Sequence, residues 1–425
     1  MLPEAVGASV FPEQVVVPVR EMLRAGHGCR FIMGSVTAVD TAQRTLRCHS
    51  LAGELSIPYD HLVLAFGNRA KLDMLPGMAE HALPLKTVGD AMHIRNSVLR
   101  RLARIELESD PALRRWLGHF IVIGGGFSGV EVIGELVDCL ASIRRYYLKY
   151  PKVQADELRI TVLHCTDRLL PELSPRLGAA ALESLTRRGL EVRLCTRTEA
   201  LSPHGVTLKT GEQIEGQTLI CTIGTEINPL AQMLDLPLQQ SRILTNADLS
   251  VQGTPNMWAL GDCAAVPNAH DGELSPPTAQ FAVRQARHLA DNLIAMSQGR
   301  QTQPFSHRSR GMMASIRHLK GVAEVGGVAL TGWPGLCGGP TICRRCPRGG
   351  GTCACSWNGP GAGSTRRTSR TCVSRAAMSS GAGSCRRLWR MKSGGHARPT
   401  PGPRRINTPA PEVGVHPPHP GRRNG

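Results

Sequence analysis

The chain of 425 residues lacks any apolar run that approaches the roughly 18 residues of a membrane-spanning helix. Its first residues also lack the charged-then-apolar layout of a signal peptide. The first 336 residues contain seven cysteines but no C-x-x-C pair, which indicates reduced thiols and excludes a disulfide framework. These absences favour a cytoplasmic α/β protein.

Acidic and apolar residues are scarce in the last 89 residues, which begin at Cys337. This segment contains 16 Lys and Arg, a single acid, Glu412, and only ten large apolar or aromatic side chains. The first 336 residues therefore contribute only +2 to the total charge of +17. Because so few apolar side chains do not build a packed core, we expect residues 336–425 to be a disordered tail rich in Arg, Gly, Pro and Cys.

The tail offers two further hypotheses, a zinc site and a nucleic-acid surface. Its pairs Cys343-x-x-Cys346 and Cys353-x-Cys355 are separated by six residues, whereas ordinary zinc modules leave about 12 or more. Stacking aromatics are limited to two tryptophans. We therefore predict no metal site and no specific nucleic-acid binding.

A glycine motif follows a short apolar segment near the middle of the chain. Residues 120–123 predict a buried strand, Gly124, Gly126 and Gly129 have the spacing G-x-G-x-x-G, and residues 130–140 have a helical apolar period. Strand, glycine turn and helix in this order are the context of a dinucleotide-binding fingerprint. A glycine turn of no special function is the alternative. The order favours a nicotinamide dinucleotide, with its pyrophosphate at the helix start.

The remaining pattern predicts an α/β fold. Strand, helix and strand follow the fingerprint helix at 158–164, 175–188 and 190–194. The other main predicted elements are a strand at 15–17 leading into a helix, strands at 30–39, 45–49 and 61–67, a helix at 87–108 capped by Thr87, a strand at 256–262, a helix at 278–296 and an ordered piece at 311–332.

Four segments together resemble the two-dinucleotide-domain flavoproteins, and most of all the type II NADH dehydrogenases, which are single-subunit NADH:quinone oxidoreductases. They are residues 62–67 (LVLAFG), 124–129 (GGGFSG), 258–264 (WALGDCA) and 276–280 (PPTAQ). The resemblance covers about residues 1–335. It implies two Rossmann-like domains, with FAD bound by 1–117 and 241–335 and NAD(P)H bound by 118–240.

The chain departs from this family at both ends. Members begin with a strand and a first G-x-G-x-x-G that hold the ADP half of FAD, and no residues here correspond to them. We therefore expect a truncated start, an incomplete FAD domain, weak FAD binding and, as a result, little or no NADH:quinone turnover by this chain. The tail resembles GC-rich DNA translated out of frame, so we expect a frameshift and the loss of the membrane contact that relatives make through their last helices.

The resemblance also implies cofactor-binding residues. For the flavin they are Gly67, Gly261, Asp262 and Ala279, although an aspartate at the end of a strand also caps an ordinary turn. For the nicotinamide dinucleotide they are Gly124, Gly126, Phe127, Ser128, Gly129, His164 and Gly224. His164 stands where NAD-binding domains usually have an acid. A neutral imidazole hydrogen-bonds a ribose and a protonated one accommodates a phosphate, so the preference between NADH and NADPH stays open.

Three residues match catalytic positions of the family. Glu131 in the first turn of the fingerprint helix is implied in proton handling, against a plain role in compensating the helix dipole. Gln280 and Lys320 match residues near the flavin and the quinone, although each is also an ordinary polar residue at a surface. The protein's contribution to such chemistry is positioning and electrostatics.

Three functions follow from these patterns. The leading one is hydride transfer from NADH to FAD and then electron transfer to a quinone, in a cytoplasmic protein whose relatives lie on the inner face of the cell membrane. A ferredoxin or disulfide reductase of the same group is the second, and a catalytically silent nucleotide-binding protein is the third. Whether the chain forms a homodimer stays an open question.

Overall fold

The structure is a computed structural model that describes residues 2–23, 28–147, 155–317 and 320–332. The expected tail at 336–425, with its paired cysteines, lies outside the described residues. Within them the chain forms an α/β fold, as the sequence predicts.

The helices of the described segments are mostly short, with three long exceptions. They are α1 Leu2–Val6, α2 Pro12–Val15, α3 Val19–Met22, α4 Met78–His81, α5 Val88–Leu107, α6 Pro111–Leu117, α7 Phe127–Tyr147, α8 Pro175–Thr186, α9 Leu230–Met233 and α10 Ala279–Ser297. Single turns of 3₁₀ helix occur at Ala155–Glu157 and Gly261–Cys263.

The strands of the first half are β1 Gly34–Asp40, β2 Thr45–Ser50, β3 Gly53–Pro58, β4 Leu62–Leu64, β5 Asn68–Ala70, β6 Ala82–Pro84, β7 His119–Ile123, β8 Arg159–Leu163, β9 Glu191–Arg193 and β10 Thr198–Ser202. Those of the second half are β11 Gly205–Leu208, β12 Gln213–Glu215, β13 Thr218–Cys221, β14 Thr225–Ile227, β15 Leu238–Gln239, β16 Arg242–Leu244, β17 Met257–Ala259, β18 Ala264–Ala265, β19 Met312–Arg317, β20 Lys320–Val325 and β21 Val328–Gly332.

A five-stranded parallel sheet carries the glycine motif. Its order is β6-β13-β7-β8-β9, and each neighbouring pair is parallel. All five residues of β7 are buried, because helices cover a parallel sheet on its faces. α7 connects β7 to β8 and α8 connects β8 to β9, so the carboxyl ends of these strands meet at one edge.

The core beside this sheet includes elements from before residue 118. Ile94, Val98 and Leu102 of α5 are buried in the same apolar cluster as Phe120 and Val122 of β7. The predicted Thr87 cap is confirmed: Thr87 Oγ1 accepts the Asp90 N–H at 3.1 Å, and Asp90 Oδ2 accepts the Thr87 N–H at 2.7 Å.

Smaller sheets make up the rest of the described chain. β4 and β17 form a parallel pair and β5 pairs with β14. Four three-stranded sheets have the orders β1-β2-β3, β10-β11-β12, β15-β16-β18 and β19-β20-β21. The second large apolar cluster contains Leu64, Trp258 and Phe281, so it joins β4, β17 and α10.

The predicted strand at 15–17 is wrong. α2 ends at Val15, and Val16 and Val17 lie between two short helices without joining a sheet. Both side chains are more than 40% exposed. Because an apolar run predicts a strand only where a partner strand pairs with it, sequence pattern alone misassigned this segment.

Candidate functional site

The three motif glycines have different surroundings in the turn between β7 and α7. Gly124 has a φ of +113°, and a Cβ there would lie 2.5 Å from Thr222 Oγ1. A Cβ on Gly129 would overlap the carbonyl oxygen of Gly124. At Gly126 the nearest atom, Glu172 Oε1, is 3.7 Å from the Cβ position. The conformation of the turn therefore requires Gly124 and the packing of the helix requires Gly129, whereas Gly126 borders open space.

That open space fits a pyrophosphate. The first amides of a helix have no acceptor within the helix and carry its partial positive charge, so they attract anions. Gly126, Phe127 and Ser128 stand at the start of α7, and Ser128 is exposed. The arrangement fits a nicotinamide dinucleotide, although the individual contacts of these residues stay predictions.

His164 at the end of β8 is held inside the protein. Its Nδ1 accepts the Gly125 N–H at 3.1 Å, and its Nε2 lies 2.8 Å from Thr166 Oγ1. Thr166 donates its own proton to the Arg168 carbonyl at 3.0 Å, so it accepts from Nε2–H. Burial lowers the pKa of His164, in agreement with a neutral ring. Both ring nitrogens therefore have partners within the protein. The predicted contact of His164 with the dinucleotide stays a prediction.

Glu172 is a candidate that the sequence analysis missed. It is exposed and lies in the turn before α8, and its Oε1 is the atom closest to the open side of Gly126. Its charge also raises the pKa of His164 against the larger effect of burial. An acid after the second strand of the motif was the available signal, but the seven residues that separate His164 from Glu172 in the sequence obscured it.

Two further glycine turns form a second candidate site, at the ends of β4 and β17. Gly67 follows β4 and Gly261 follows β17, with φ of +65° and +73°. Nothing lies within 4 Å of a Cβ placed on Gly67, and Ala282 Cβ, at 3.4 Å, is the one near neighbour of a Cβ on Gly261. Because β4 and β17 are parallel neighbours, both turns lie at one sheet edge. This open cradle fits the flavin end of FAD.

Asp262 and Cys263 complete this edge. Asp262 is half-buried, and its carboxylate partly offsets the burial that lowers the pKa of Arg242. Cys263 is fully buried and lies 3.2 Å from the Leu260 carbonyl oxygen. Its Sγ also lies 3.5 Å from the Leu64 carbonyl oxygen at the end of β4. Burial raises the pKa of its thiol, which keeps the thiol protonated. The predicted flavin contacts of Asp262 and Ala279 are untested by these distances.

Gln280 bonds to the segment that leads into β19. Its Oε1 accepts the Arg310 N–H at 2.8 Å and lies 3.2 Å from His307 Nε2, and its Nε2 donates to the Gly311 carbonyl at 3.3 Å. His307 also packs edge-on against Phe281 with ring centroids 5.1 Å apart. Burial, followed by nearby positive charges, lowers the pKa of His307 to about 4.

The predicted catalytic residues contact or belong to the hairpin of β19 and β20, at separate points along it. Glu131 Oε1 accepts the Ser315 N–H at 3.1 Å, and Gln280 holds Gly311 just before the same strand. Lys320 is exposed at the first position of β20, next to Gly321, which pairs with Ser315. Residues that lie up to 189 positions apart in the sequence are therefore linked through one strand pair.

Gly224 is the remaining predicted cofactor residue. It has a φ of +76°, and a Cβ there would overlap Met74 Sδ. Its carbonyl accepts the Lys71 N–H at 3.2 Å, which ties the segment after β13 to the segment after β5. Its glycine requirement therefore has a structural cause, and its predicted contact with a dinucleotide is untested.

The parallel sheet and the glycine turns at its strand ends are typical of α/β dinucleotide-binding folds. A family model described as pyridine nucleotide-disulphide oxidoreductase matches residues 1–286, and the chain belongs to this family. It is a family of oxidoreductases that use FAD and NAD(P)H.

Relatives with described activities are distant. The type II NADH:quinone oxidoreductase Ndh of Mycobacterium tuberculosis is 28% identical over 327 residues, which cover 74% of this chain and 68% of that protein. The type II NADH:quinone oxidoreductase of Staphylococcus epidermidis is 26% identical, with 76% and 79% covered. The structure of NDH2 from Plasmodium falciparum in complex with NADH shares the fold, with a TM-score of 0.72, 18% identity and 78% and 83% covered.

Among the residues that the structure describes, no helix is both long enough and apolar enough to cross a membrane.

Proposed function

We propose that this protein transfers a hydride from NADH to FAD and passes the electrons to a quinone. The observation that carries the proposal is the bond between Glu131 of the fingerprint helix and Ser315 of β19, in a hairpin that Gln280 also contacts and that includes Lys320. The distant relatives named as type II NADH:quinone oxidoreductases support the same activity. Membership of the family supports the two cofactors.

The chain's own residues supply binding and orientation. The open side of Gly126 and the amides at the start of α7 receive the pyrophosphate of NADH. The turns at Gly67 and Gly261, together with Asp262, hold FAD, which accepts a hydride and releases electrons when bound. Residues 118–240 form the NAD(P)H-binding part in this proposal, and 1–117 with 241–335 form the FAD-binding part.

Glu131, Gln280 and Lys320 act at the acceptor side. The bond from the Ser315 N–H fixes the carboxylate of Glu131 near β19, where it takes up or releases the protons that accompany quinone reduction. Gln280 positions the segment 307–311 through its amide. Lys320 supplies an exposed positive charge at the end of the hairpin. The cytoplasmic location, the membrane contact of relatives and a homodimer stay predictions.

Flavin absorbance and quinone reduction test the proposal. The purified chain is incubated with FAD, freed of unbound flavin, and mixed with NADH and a soluble quinone. Because we expect weak FAD binding, only a small fraction of the chain should retain flavin, and in that fraction NADH should bleach the flavin and the quinone should restore it. We expect Glu131→Gln to slow the quinone step more than the bleaching. Glu183→Gln, on the exposed face of α8, is the control.

Each alternative gives a different result. Bleaching by NADH with transfer to ferredoxin or to a disulfide, but not to a quinone, would favour another reductase of the family. Binding of NADH without retained flavin would show a silent nucleotide-binding protein. Equal rates for Glu131→Gln and the control would remove Glu131 from the proposed mechanism.

A further inference from the structure

The second strand of the dinucleotide motif ends without an acid. His164 stands there, and its two ring nitrogens bond to the Gly125 N–H and to Thr166. Domains that select NAD place a carboxylate near the adenosine ribose to accept its hydroxyls, and domains that select NADP place an arginine near the 2′-phosphate. A neutral histidine that bonds within the protein supplies neither group.

A carboxylate reaches the same place from a different element. Glu172 Oε1 lies 3.7 Å from the Cβ position of Gly126, on the side where the turn leaves space. The ring of His164, at the end of β8, lies beside the same turn, because its Nδ1 accepts the Gly125 N–H at 3.1 Å. The charge of Glu172 raises the pKa of that ring against the larger effect of burial. Glu172 therefore faces both the glycine turn and the end of the second strand, and the adenosine ribose binds between these two features in such domains.

The backbone that carries Glu172 is anchored to the glycine turn. The Leu170 N–H donates to the Gly125 carbonyl at 2.9 Å, and the Leu173 N–H donates to the Leu170 carbonyl at 2.9 Å. Leu169 and Leu170 are fully buried and Leu173 is 3% exposed. This turn therefore holds the α-carbon of Glu172 at a fixed distance from Gly126, while its side chain stays in solvent.

One cation of the same loop, Arg168, bonds to the backbone of that loop. Arg168 donates from an NH2 nitrogen to the Pro171 carbonyl at 3.0 Å, and its own carbonyl accepts from Thr166. It is half-buried and closes the loop that presents Glu172.

We propose that Glu172 accepts the hydroxyls of the adenosine ribose and makes the protein select NADH over NADPH. The carboxylate offers two acceptor oxygens to the vicinal hydroxyls of NADH. The same carboxylate repels the 2′-phosphate of NADPH. This inference rests on the proposed dinucleotide site and adds the residue that sets its specificity.

Direct binding measurements separate this inference from the proposed activity. NADH and NADPH are titrated by their own fluorescence into the full chain, and into the Glu172→Gln and Asp167→Asn variants. Asp167 is a matched control, since it is an exposed acid in the same loop. We expect Glu172→Gln to weaken NADH binding about tenfold or more, as the loss of charge-assisted hydrogen bonds predicts, and to bring the two affinities together. Asp167→Asn should change neither affinity.

The outcomes are distinct. An unchanged ratio of NADH to NADPH affinity in Glu172→Gln, with the same melting temperature as the parent, would overturn the role of Glu172 and leave the quinone activity untouched. Preference of the unsubstituted chain for NADPH would overturn it as well. Failure of the unsubstituted chain to bind either dinucleotide would overturn the proposed function and this inference together.

Discussion

Replacing Gly126 tests the assignment of the glycine turn most directly. A Cβ at this position has no protein atom nearer than 3.7 Å, and the backbone there is outside the left-handed region. Gly126→Ala should therefore fold with unchanged or slightly raised stability, since removing a glycine from a compatible site stabilises a protein by about 0.4 to 1 kcal/mol.

The affinity for NADH, unlike the stability, should fall when a larger side chain replaces Gly126. The side chain of Gly126→Val would occupy the space in which a pyrophosphate approaches the amides of α7. Hydrogen bonds to charged groups contribute about 1.5 to 3 kcal/mol each, so the loss of two of them weakens binding about a hundredfold or more. Isothermal titration with NADH measures this change.

Gly129 provides the contrast. A Cβ there would overlap the Gly124 carbonyl oxygen, so Gly129→Ala forces the helix away from the turn. Backbone shifts of this kind cost about 1 to 3 kcal/mol, which denaturant unfolding detects. A folded Gly126→Val variant that binds NADH as tightly as the parent would refute the reasoning, and so would a Gly129→Ala variant of full stability.

Two further predictions concern stability. The folded-state pKa of His307, about 4, is below its unfolded value of 6.5, so the stability that it contributes is present above about pH 6.5 and is lost as the pH falls towards 4; unfolding curves across this range should show the loss, and His307→Gln should flatten it. Arg114→Met should destabilise the chain by about 3 to 5 kcal/mol, because Glu157 is 6% exposed and bonds to Arg114 at 2.6 Å; an unchanged unfolding midpoint would contradict this.

Local sequence patterns were sufficient to predict the strand and turn of the glycine motif and the cap of α5. The apolar run 120–123, the glycine spacing and the Thr87 cap each act within a few residues, and the structure has a strand, a turn and a capped helix there. The cap of α6 shows the same principle in a helix that we did not predict: Asp110 Oδ1 accepts the Ala112 N–H at 2.9 Å, and Pro111 opens the helix.

Contacts between distant residues could not be derived in this way. Nothing near Glu131 in the sequence shows that its carboxylate bonds to Ser315, 184 positions away. The bonds of His164 to Gly125 and Thr166 depend on the packing of two loops, so the residue type alone left its role open. Glu172 was missed for the same reason, since its proximity to Gly126 exists only after the chain has folded.

A second contact, besides the bond between Glu131 and Ser315, holds the hairpin of β19 and β20 to the fingerprint helix. Arg188, just after α8, donates to the Ile316 carbonyl at 2.8 Å and to the Gly134 carbonyl at 3.3 Å, and it pairs with Asp138 on α7. Burial lowers the pKa of this arginine and Asp138 opposes the effect, but no arginine loses its proton at ordinary pH. One guanidinium thus fixes β19 against α7 one residue beyond the bond between Glu131 and Ser315. The position of Glu131 relative to the hairpin therefore depends on α7, on β19 and on the segment just after α8.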